Sequence, residues 1–143
     1  MRVVLVDDDE DDRMFFADAL QEIDIDTELK EFHNGRELLT YLSAADKNLP
    51  QLIFLDLNMP VMNGFDCLKE IRKNPELKEI VVAIYSTSSS ERDIEETFVN
   101  GANIYINKPN KFEELKKTIA QVVKRNWQYE ENELNKANFL FRI

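Results

Sequence analysis

The 143-residue sequence has little of several residue types on which specialised structures depend. Its single cysteine, Cys67, cannot form an internal disulfide or a cysteine-based zinc site, so we expect a reducing compartment, the cytoplasm. Only three glycines are present, and none belongs to a G-x-G-x-x-G sequence or a P-loop, which argues against nucleotide binding by those loops. No apolar run approaches the roughly 20 residues that span a bilayer, and no signal peptide is recognisable.

Positive charge is also scarce in this sequence. Lys and Arg number 18 against 28 Asp and Glu, which gives a formal net charge of −10 at pH 7. Because binding to a phosphate backbone needs clustered Lys and Arg, we do not expect a nucleic-acid partner. The composition is 43% hydrophobic and 10% aromatic, enough to build a core in a chain of this length. We therefore expect one acidic, cytoplasmic domain with neither nucleic acid nor membrane as partner.

The hydrophobic pattern alternates between strand and helix periods. Short apolar segments predict five strands, at Arg2–Val6, Thr27–Phe32, Leu52–Leu55, Ile80–Tyr85 and Ile104–Ile106. Helical spacing follows each of them, at Phe16–Ile23, Glu37–Ser43, Phe65–Lys73, Ser90–Asn100 and Phe112–Val123. This alternation predicts an α/β fold, a doubly wound five-stranded parallel sheet with helices on both faces. The domain would span residues 1–125 and leave residues 126–143 as a C-terminal extension.

Polar residues stand where four of the five predicted strands end. They are Asp7 and Asp8 after the first strand, Asp56 after the third, Ser86 and Thr87 after the fourth, and Lys108 after the fifth. Ligands of open parallel sheets bind at this edge. Converging carboxylates repel one another unless a cation lies between them, and their hard oxygen atoms suit Mg²⁺. Lysine and serine suit phosphoryl oxygens, so we predict that Asp56 is a nucleophile that forms an acyl phosphate.

The acids that follow Asp8 have a simpler interpretation. Asp9, Glu10, Asp11 and Asp12 precede a predicted helix, where acidic side chains cap the first turn or face solvent. We therefore expect no part in the site for any of these four residues.

Four segments resemble the motifs of response-regulator receiver domains of two-component signalling. They are VVLVDD at Val3–Asp8, IFLDLNMPVMNG at Ile53–Gly64, IYS at Ile84–Ser86 and YINKP at Tyr105–Pro109. The resemblance covers about residues 1–125, and the D-x-x-M-P-x-M-x-G run with a distant K-P is highly specific. It implies a flavodoxin-like fold with five helices and the strand order 2-1-3-4-5.

The resemblance also implies a Mg²⁺ site at the acidic residues. Asp56 would be the phosphorylated residue and a metal ligand at once. Asp8 would bind the ion directly, and Asp7 would bind it through a water molecule. The backbone carbonyl of Asn58 would complete the protein's share of the coordination.

Further roles are implied for residues that would contact the phosphoryl group. Lys108 and Ser86 would stabilise it, with Thr87 beside them at a position where the family usually has a smaller residue. Ser86 and Tyr105 would form the switch, with Tyr105 turning inward when Ser86 moves toward the phosphoryl group. The Lys108–Pro109 peptide bond would be cis.

The function implied is that of a single-domain response regulator rather than a turnover enzyme. A sensor histidine kinase or a histidine phosphotransfer protein would supply the phosphoryl group, and phosphorylation would change binding to an unidentified downstream protein. The interaction surface would consist of residues 90–100, 104–106 and 112–125. A homodimer through that face or through the C-terminal extension is also open.

The C-terminal extension is expected to dock rather than to carry an output domain. Phe139, Leu140, Phe141 and Ile143 stand close together near the chain end, and exposed apolar clusters are disfavoured. Docking on the domain itself and docking on a second copy both remain open.

Two other functions compete with the signalling interpretation. A phosphatase of the haloacid-dehalogenase type also uses a strand-end aspartate and Mg²⁺, but it needs a second carboxylic acid two residues later. Asn58 stands at that position and cannot donate a proton as an acid does, which disfavours this alternative. A structural domain stabilised by a divalent ion, without phosphorylation, is the other.

Overall fold

Strands and helices alternate along the chain in the computed structural model, which describes residues 1–44, 48–125 and 139–141. The strands are β1 (Arg2–Val6), β2 (Glu28–Phe32), β3 (Leu52–Leu55), β4 (Val81–Ser86), β5 (Ile104–Asn107) and β6 (Leu140–Phe141). The α-helices are α1 (Glu10–Gln21), α2 (Gly35–Ala44), α3 (Gly64–Lys73), α4 (Glu91–Val99) and α5 (Phe112–Lys124), and a short 3₁₀ helix covers Pro75–Leu77. None of the helices in these ranges is long and apolar enough to cross a membrane.

All strand pairs in the sheet are parallel, and the strand order is β2-β1-β3-β4-β5-β6. The predicted doubly wound order 2-1-3-4-5 is thereby confirmed, and β6 extends it at the β5 edge. Because every crossover between parallel strands contains a helix, the chain covers both faces of the sheet. The carboxyl ends of β1, β3, β4 and β5 therefore lie at one edge.

The core consists of two layers that the sheet separates. One face packs against α2, α3 and α4, through buried residues such as Leu38, Leu68 and Ile94. The other packs against α1 and α5, where Phe16 and Ile119 are fully buried or nearly so. Successive strand residues point to opposite faces that are both covered, so β3 is apolar throughout, β4 is apolar up to Ser86, and every residue of the two strands is buried.

The two edges of the sheet differ in character. Strand β2 has mixed polarity and mostly exposed side chains, which suits its place at one edge of the sheet. At the other edge, β6 pairs in parallel with β5, with Leu140 opposite Tyr105 and Phe141 opposite Ile106. An edge strand with unpaired backbone groups invites pairing, and here residues of the same chain satisfy part of that edge.

Phe139 is fully buried against the domain. The centroid of its ring lies 5.2 Å from that of Phe98 on α4 and 6.1 Å from that of Tyr105 on β5, both in edge-on geometry. Residues 126–138 and 142–143 lie outside the described residues. Docking of the whole extension therefore remains a prediction, while Phe139 and β6 lie against their own domain.

Helix starts in this fold depend on short polar side chains. The side chain of Asp9 accepts a hydrogen bond from the backbone N–H of Asp12 at 3.0 Å, which begins α1. Asn63 begins α3 in the same way. Ser90 caps α4 by accepting from the N–H of Asp93 at 3.3 Å. Such caps satisfy backbone donors that have no partner within the helix.

Gly64 brings the start of α3 against the end of β3. A Cβ atom at this position would overlap the backbone carbonyl oxygen of Asp56. Only glycine therefore permits this approach, and the glycine of the D-x-x-M-P-x-M-x-G run has a direct physical role. The contact fixes the loop that carries Asp56.

Candidate functional site

The carboxyl ends of β1, β3 and β5 bring three of the predicted site residues together. Val6 pairs with Leu55, so Asp7 and Asp56, the next residues of each strand, extend side by side. The N–H of Asp56 donates to the carbonyl of Val6 at 3.0 Å and maintains this register. Lys108 follows β5, where its N–H donates to the carbonyl of Ser86 at 2.8 Å.

Asp7, Asp8 and Asp56 form a cluster suited to a divalent cation. Each offers a carboxylate oxygen, and these three atoms lie within 4.8 Å of one another. Asp7 and Asp56 are buried and Asp8 is exposed, so the cluster opens to solvent on one side. Oxygen ligands with room for water molecules are the coordination that Mg²⁺ prefers, and the residues present therefore fit such an ion.

Lys108 is the cation that the described residues themselves supply at this cluster. Its Nζ atom lies 2.7 Å from Oδ2 of Asp7, 3.0 Å from Oδ2 of Asp12 and 3.5 Å from Oδ2 of Asp56. The lysine side chain is only 8% exposed, and its Nζ also lies 5.2 Å from the centroid of the Tyr85 ring. An ammonium group with three N–H donors therefore faces three carboxylates, two of them buried and one partly exposed.

The pKa values at the site reflect burial and the lysine charge in opposition. Burial raises the pKa of Asp56 to about 6, although the charge of Lys108 acts in the opposite direction. Burial also raises the pKa of Asp7, against its hydrogen bond to Lys108. Burial alone would lower the pKa of Lys108, but the hydrogen bond to Asp7 and the charges of Asp56 and Asp7 raise it overall. The lysine therefore remains charged, and the buried carboxylates favour any added cation.

Ser86 and Tyr105 are connected through the loop after β4. Ser86 is fully buried, and its Oγ accepts a hydrogen bond from the N–H of Ser88 at 3.1 Å. The hydroxyl of Tyr105 donates to the carbonyl of Ser88 at 2.8 Å, and the whole Tyr105 side chain is buried. Tyr105 thus points inward, and its predicted movement with Ser86 remains a prediction.

Two predicted site residues lie at the solvent side of the site. Asn58 is exposed, two residues after Asp56, and Thr87 is exposed directly after Ser86. Their predicted contacts with the metal ion and the phosphoryl group remain predictions. The Lys108–Pro109 peptide bond is trans, in contrast to the isomer that the family resemblance implied, and no cis bond occurs within the described part of the chain. The trans isomer is also the intrinsically favoured one, by about 0.5–1 kcal/mol.

Asp12 is a site residue that the sequence interpretation missed. It was expected only to cap a helix or face solvent, yet its Oδ2 binds the Lys108 ammonium. Asp9 does cap α1, and Asp11 is exposed. Helical spacing separates Asp12 from Asp11, because Asp12 stands four and seven residues before the buried Phe16 and Ala19, on the same face of α1. The spacing points Asp12 inward, but only the tertiary structure shows that its partner is Lys108.

Comparisons with known proteins find the same family by two routes. The family model for the response regulator receiver domain matches residues 3–120. Response regulator Rcp1 of Synechocystis sp. is 31% identical over 121 residues, which cover 82% of this chain and 82% of that protein.

Solved structures give the same result at the level of the fold. The phosphorylated cyanobacterial phytochrome response regulator RcpA superposes with a TM-score of 0.78 at 32% identity, covering 85% of this chain and 89% of that one. The Mn²⁺-bound form of Rcp1 gives a TM-score of 0.76 at 30% identity, covering 85% of this chain and 90% of that one. The similarity thus includes one protein that is phosphorylated and one that binds a divalent metal ion.

Proposed function

The chain belongs to the response regulator receiver family, and we propose on that premise that it accepts a phosphoryl group on Asp56 in a Mg²⁺-dependent reaction. One observation carries the proposal. The Asp56 carboxylate lies within 4.8 Å of those of Asp7 and Asp8 and 3.5 Å from the Lys108 ammonium. A nucleophile, a cation site and a fixed positive charge therefore meet at one point. The phosphoryl donor would be a histidine kinase or a histidine phosphotransfer protein, the usual partners of response regulators.

The proposed reaction transfers a phosphoryl group from a histidine nitrogen of the donor to a carboxylate oxygen of Asp56. A carboxylate oxygen of Asp56 attacks phosphorus, a P–O bond forms, and the P–N bond of the donor phosphohistidine breaks. The leaving imidazole keeps the bonding electron pair and takes up a proton. Asp56 must be ionised to attack. Phosphoryl transfer of this kind depends mainly on positioning and on neutralisation of charge.

Different site residues would hold the metal ion and bind the phosphoryl oxygens. Asp8 and Asp56, the Asn58 carbonyl and, through water, Asp7 would hold the metal ion, which supplies positive charge to the phosphoryl oxygens when it is bound. Lys108 donates to a further phosphoryl oxygen, and the hydroxyl of Ser86 offers another donor. Thr87, at the rim, would limit access of water to the phosphoryl group.

The signal would be a change in binding at the face of α4, β5 and α5. Ser86 and Tyr105, which the Ser88 loop connects, would carry the change from the site to that face. A shift between two conformations requires only that the phosphoryl group stabilises one of them by a few kcal/mol. The downstream partner would be another protein. The response regulator itself would not turn over a substrate. We further propose a cytoplasmic location, supported by the single cysteine, Cys67.

The direct test is labelling with a small phosphodonor. The purified chain is incubated with acetyl phosphate and MgCl₂, and its intact mass is measured with and without EDTA. We expect the mass of one phosphoryl group to be added only with Mg²⁺, and to be absent from the Asp56→Asn variant. Asp66→Asn, on an exposed helical turn, is the matched control and should label normally. Labelling of Asp56→Asn at the wild-type level would overturn the proposal.

The phosphatase alternative has a separate readout. It predicts continuous release of phosphate from an ester such as p-nitrophenyl phosphate. Asn58 stands where such an enzyme needs a carboxylic acid, so we expect no release above that of the Asp56→Asn variant.

A further inference from the structure

We propose that Asp12 competes with the phosphoryl group for the ammonium of Lys108 and so limits how strongly the site holds that group. The inference rests on the proposed function, because it concerns the same lysine. It assigns a positioning role to a residue of the first turn of α1. Asp12 acts through Lys108, which it contacts at 3.0 Å.

Three carboxylates surround the ammonium group of Lys108. Its three N–H donors face Asp7 at 2.7 Å, Asp12 at 3.0 Å and Asp56 at 3.5 Å. An ammonium group has no fourth donor. A phosphoryl oxygen that binds Lys108 must therefore replace one of these three carboxylates or share a donor with it.

A cation bound at the acidic cluster would leave Asp12 as the carboxylate that Lys108 retains. Asp7 and Asp56 belong to the cluster that fits a divalent ion, whereas Asp12 lies outside it. A bound dication would take up part of the negative charge of Asp7 and Asp56, which weakens their attraction for the ammonium. Asp12 would keep its full charge and would be the main competitor for Lys108.

The phosphoryl group and the Asp12 carboxylate would repel each other electrostatically. A phosphoryl group that binds Lys108 carries negative charge and would share this ammonium with the Asp12 carboxylate. Like charges this close disfavour one another. The side chain of Asp12 is 42% exposed, so solvent screens the repulsion and also receives the carboxylate when Lys108 leaves it. The effect is therefore moderate, and Asp12 weakens phosphoryl binding without preventing it.

The experiment compares two variants with the same change of charge. Asp12→Asn removes the carboxylate that contacts Lys108, and Asp11→Asn removes its exposed neighbour in the same helical turn. Both lose a favourable charge at the start of α1, and Asp12→Asn also loses its ion pair with Lys108, so the thermal stability of both variants is measured alongside. Beryllofluoride, a mimic of the phosphoryl group, is titrated in saturating Mg²⁺ by ¹⁹F NMR, and Mg²⁺ is titrated separately by calorimetry.

We expect Asp12→Asn to bind beryllofluoride about two- to fivefold more tightly than Asp11→Asn, as fits one partly exposed charge pair. The dissociation constants for Mg²⁺ should agree between the two variants within about twofold, a split that a purely structural role of Asp12 would not produce. Asp12→Glu keeps the charge and should bind beryllofluoride as the wild type does. The aspartyl phosphate formed from acetyl phosphate should also persist longer in Asp12→Asn than in Asp11→Asn.

Equal or weaker beryllofluoride binding by Asp12→Asn, with normal binding by the wild type, would overturn this inference alone. Failure of the wild type both to bind beryllofluoride and to be labelled by acetyl phosphate would overturn the proposed function, and the inference with it.

Discussion

The Nζ atom of Lys108 lies 2.7 Å from Oδ2 of Asp7, although 101 residues separate the two in the chain. This contact joins the end of β5 to the end of β1 across the intervening strands β3 and β4. Asp7 is fully buried and the lysine side chain nearly so. A buried charge without its partner costs much more than a surface pair contributes, so each of the two depends on the other.

Replacement of Lys108 by Gln should therefore destabilise the metal-free protein by about 2–4 kcal/mol, because it leaves Asp7 and Asp56 without their cation. Addition of Mg²⁺ should recover more stability in this variant than in the wild type, since the ion supplies positive charge to the same carboxylates. Urea unfolding in EDTA and in MgCl₂ measures both effects. Lys116→Gln is the control, because that lysine pairs with exposed Glu22. An equal response of the two variants to Mg²⁺ would contradict the expectation.

Asp56 should make the metal-free protein less stable as the pH rises. Its pKa is about 6 in the folded protein against 3.8 as its ordinary value, so the folded state binds the proton more tightly than the unfolded state. The contribution of Asp56 to the free energy of unfolding is thus greatest below about pH 4 and falls until about pH 6. The total change is on the order of 3 kcal/mol.

The measurement compares the wild type with Asp56→Asn in EDTA from pH 4 to 7. The free energy of unfolding of the variant should rise relative to that of the wild type across this range, because Asn carries no charge to bury. Added Mg²⁺ should reduce the difference by stabilising the ionised carboxylate. A constant difference between the two proteins across the range would show that burial does not raise the pKa of Asp56.

Phe139 should contribute to the stability of the domain although it lies far beyond α5 in the sequence. Its ring is fully buried between Phe98 and Tyr105, so Phe139→Ala should cost about 3–5 kcal/mol of the free energy of unfolding. Met14→Ala removes an exposed apolar side chain and should cost less than about 1 kcal/mol. Unfolding in urea measures both variants.

Light scattering distinguishes docking within one chain from docking between two copies. If Phe139 packs on its own domain, the mass in solution should be that of a monomer and the melting temperature should not depend on protein concentration. A dimer that Phe139→Ala converts to a monomer would show instead that the segment docks on a second copy.

Much of the site could be predicted because it depends on where apolar runs end. Strands β1 and β3 are buried on both faces and end directly before Asp7 and Asp56, so the change from apolar to acidic residues marks their ends. Parallel strands with helical crossovers have their carboxyl ends at one edge, which brings these acids and Lys108 together in any fold of this class. The strand order itself came from the family resemblance, since periodicity carries no information on neighbouring strands.

Two parts of the structure were missed for different reasons. Asp12 stands on the buried face of α1 with Phe16 and Ala19, so the helical period points it inward and points Asp11 away. That its partner is Lys108 depends on the packing of α1 beside the end of β5, two elements distant in the chain. The sixth strand was missed because two residues are too few for a recognisable period.

The amino-acid sequence by itself thus determined the alternating elements, the acidic edge of the sheet and the position of Asp56 at that edge, because hydrophobic burial imposes a local period and ends abruptly at charge. Only the tertiary structure decided that Lys108 is shared among three carboxylates and that Phe139 covers Tyr105. Both results require groups from distant parts of the chain to meet in one place. Such contacts follow from the packing of whole helices and strands, which no short segment encodes.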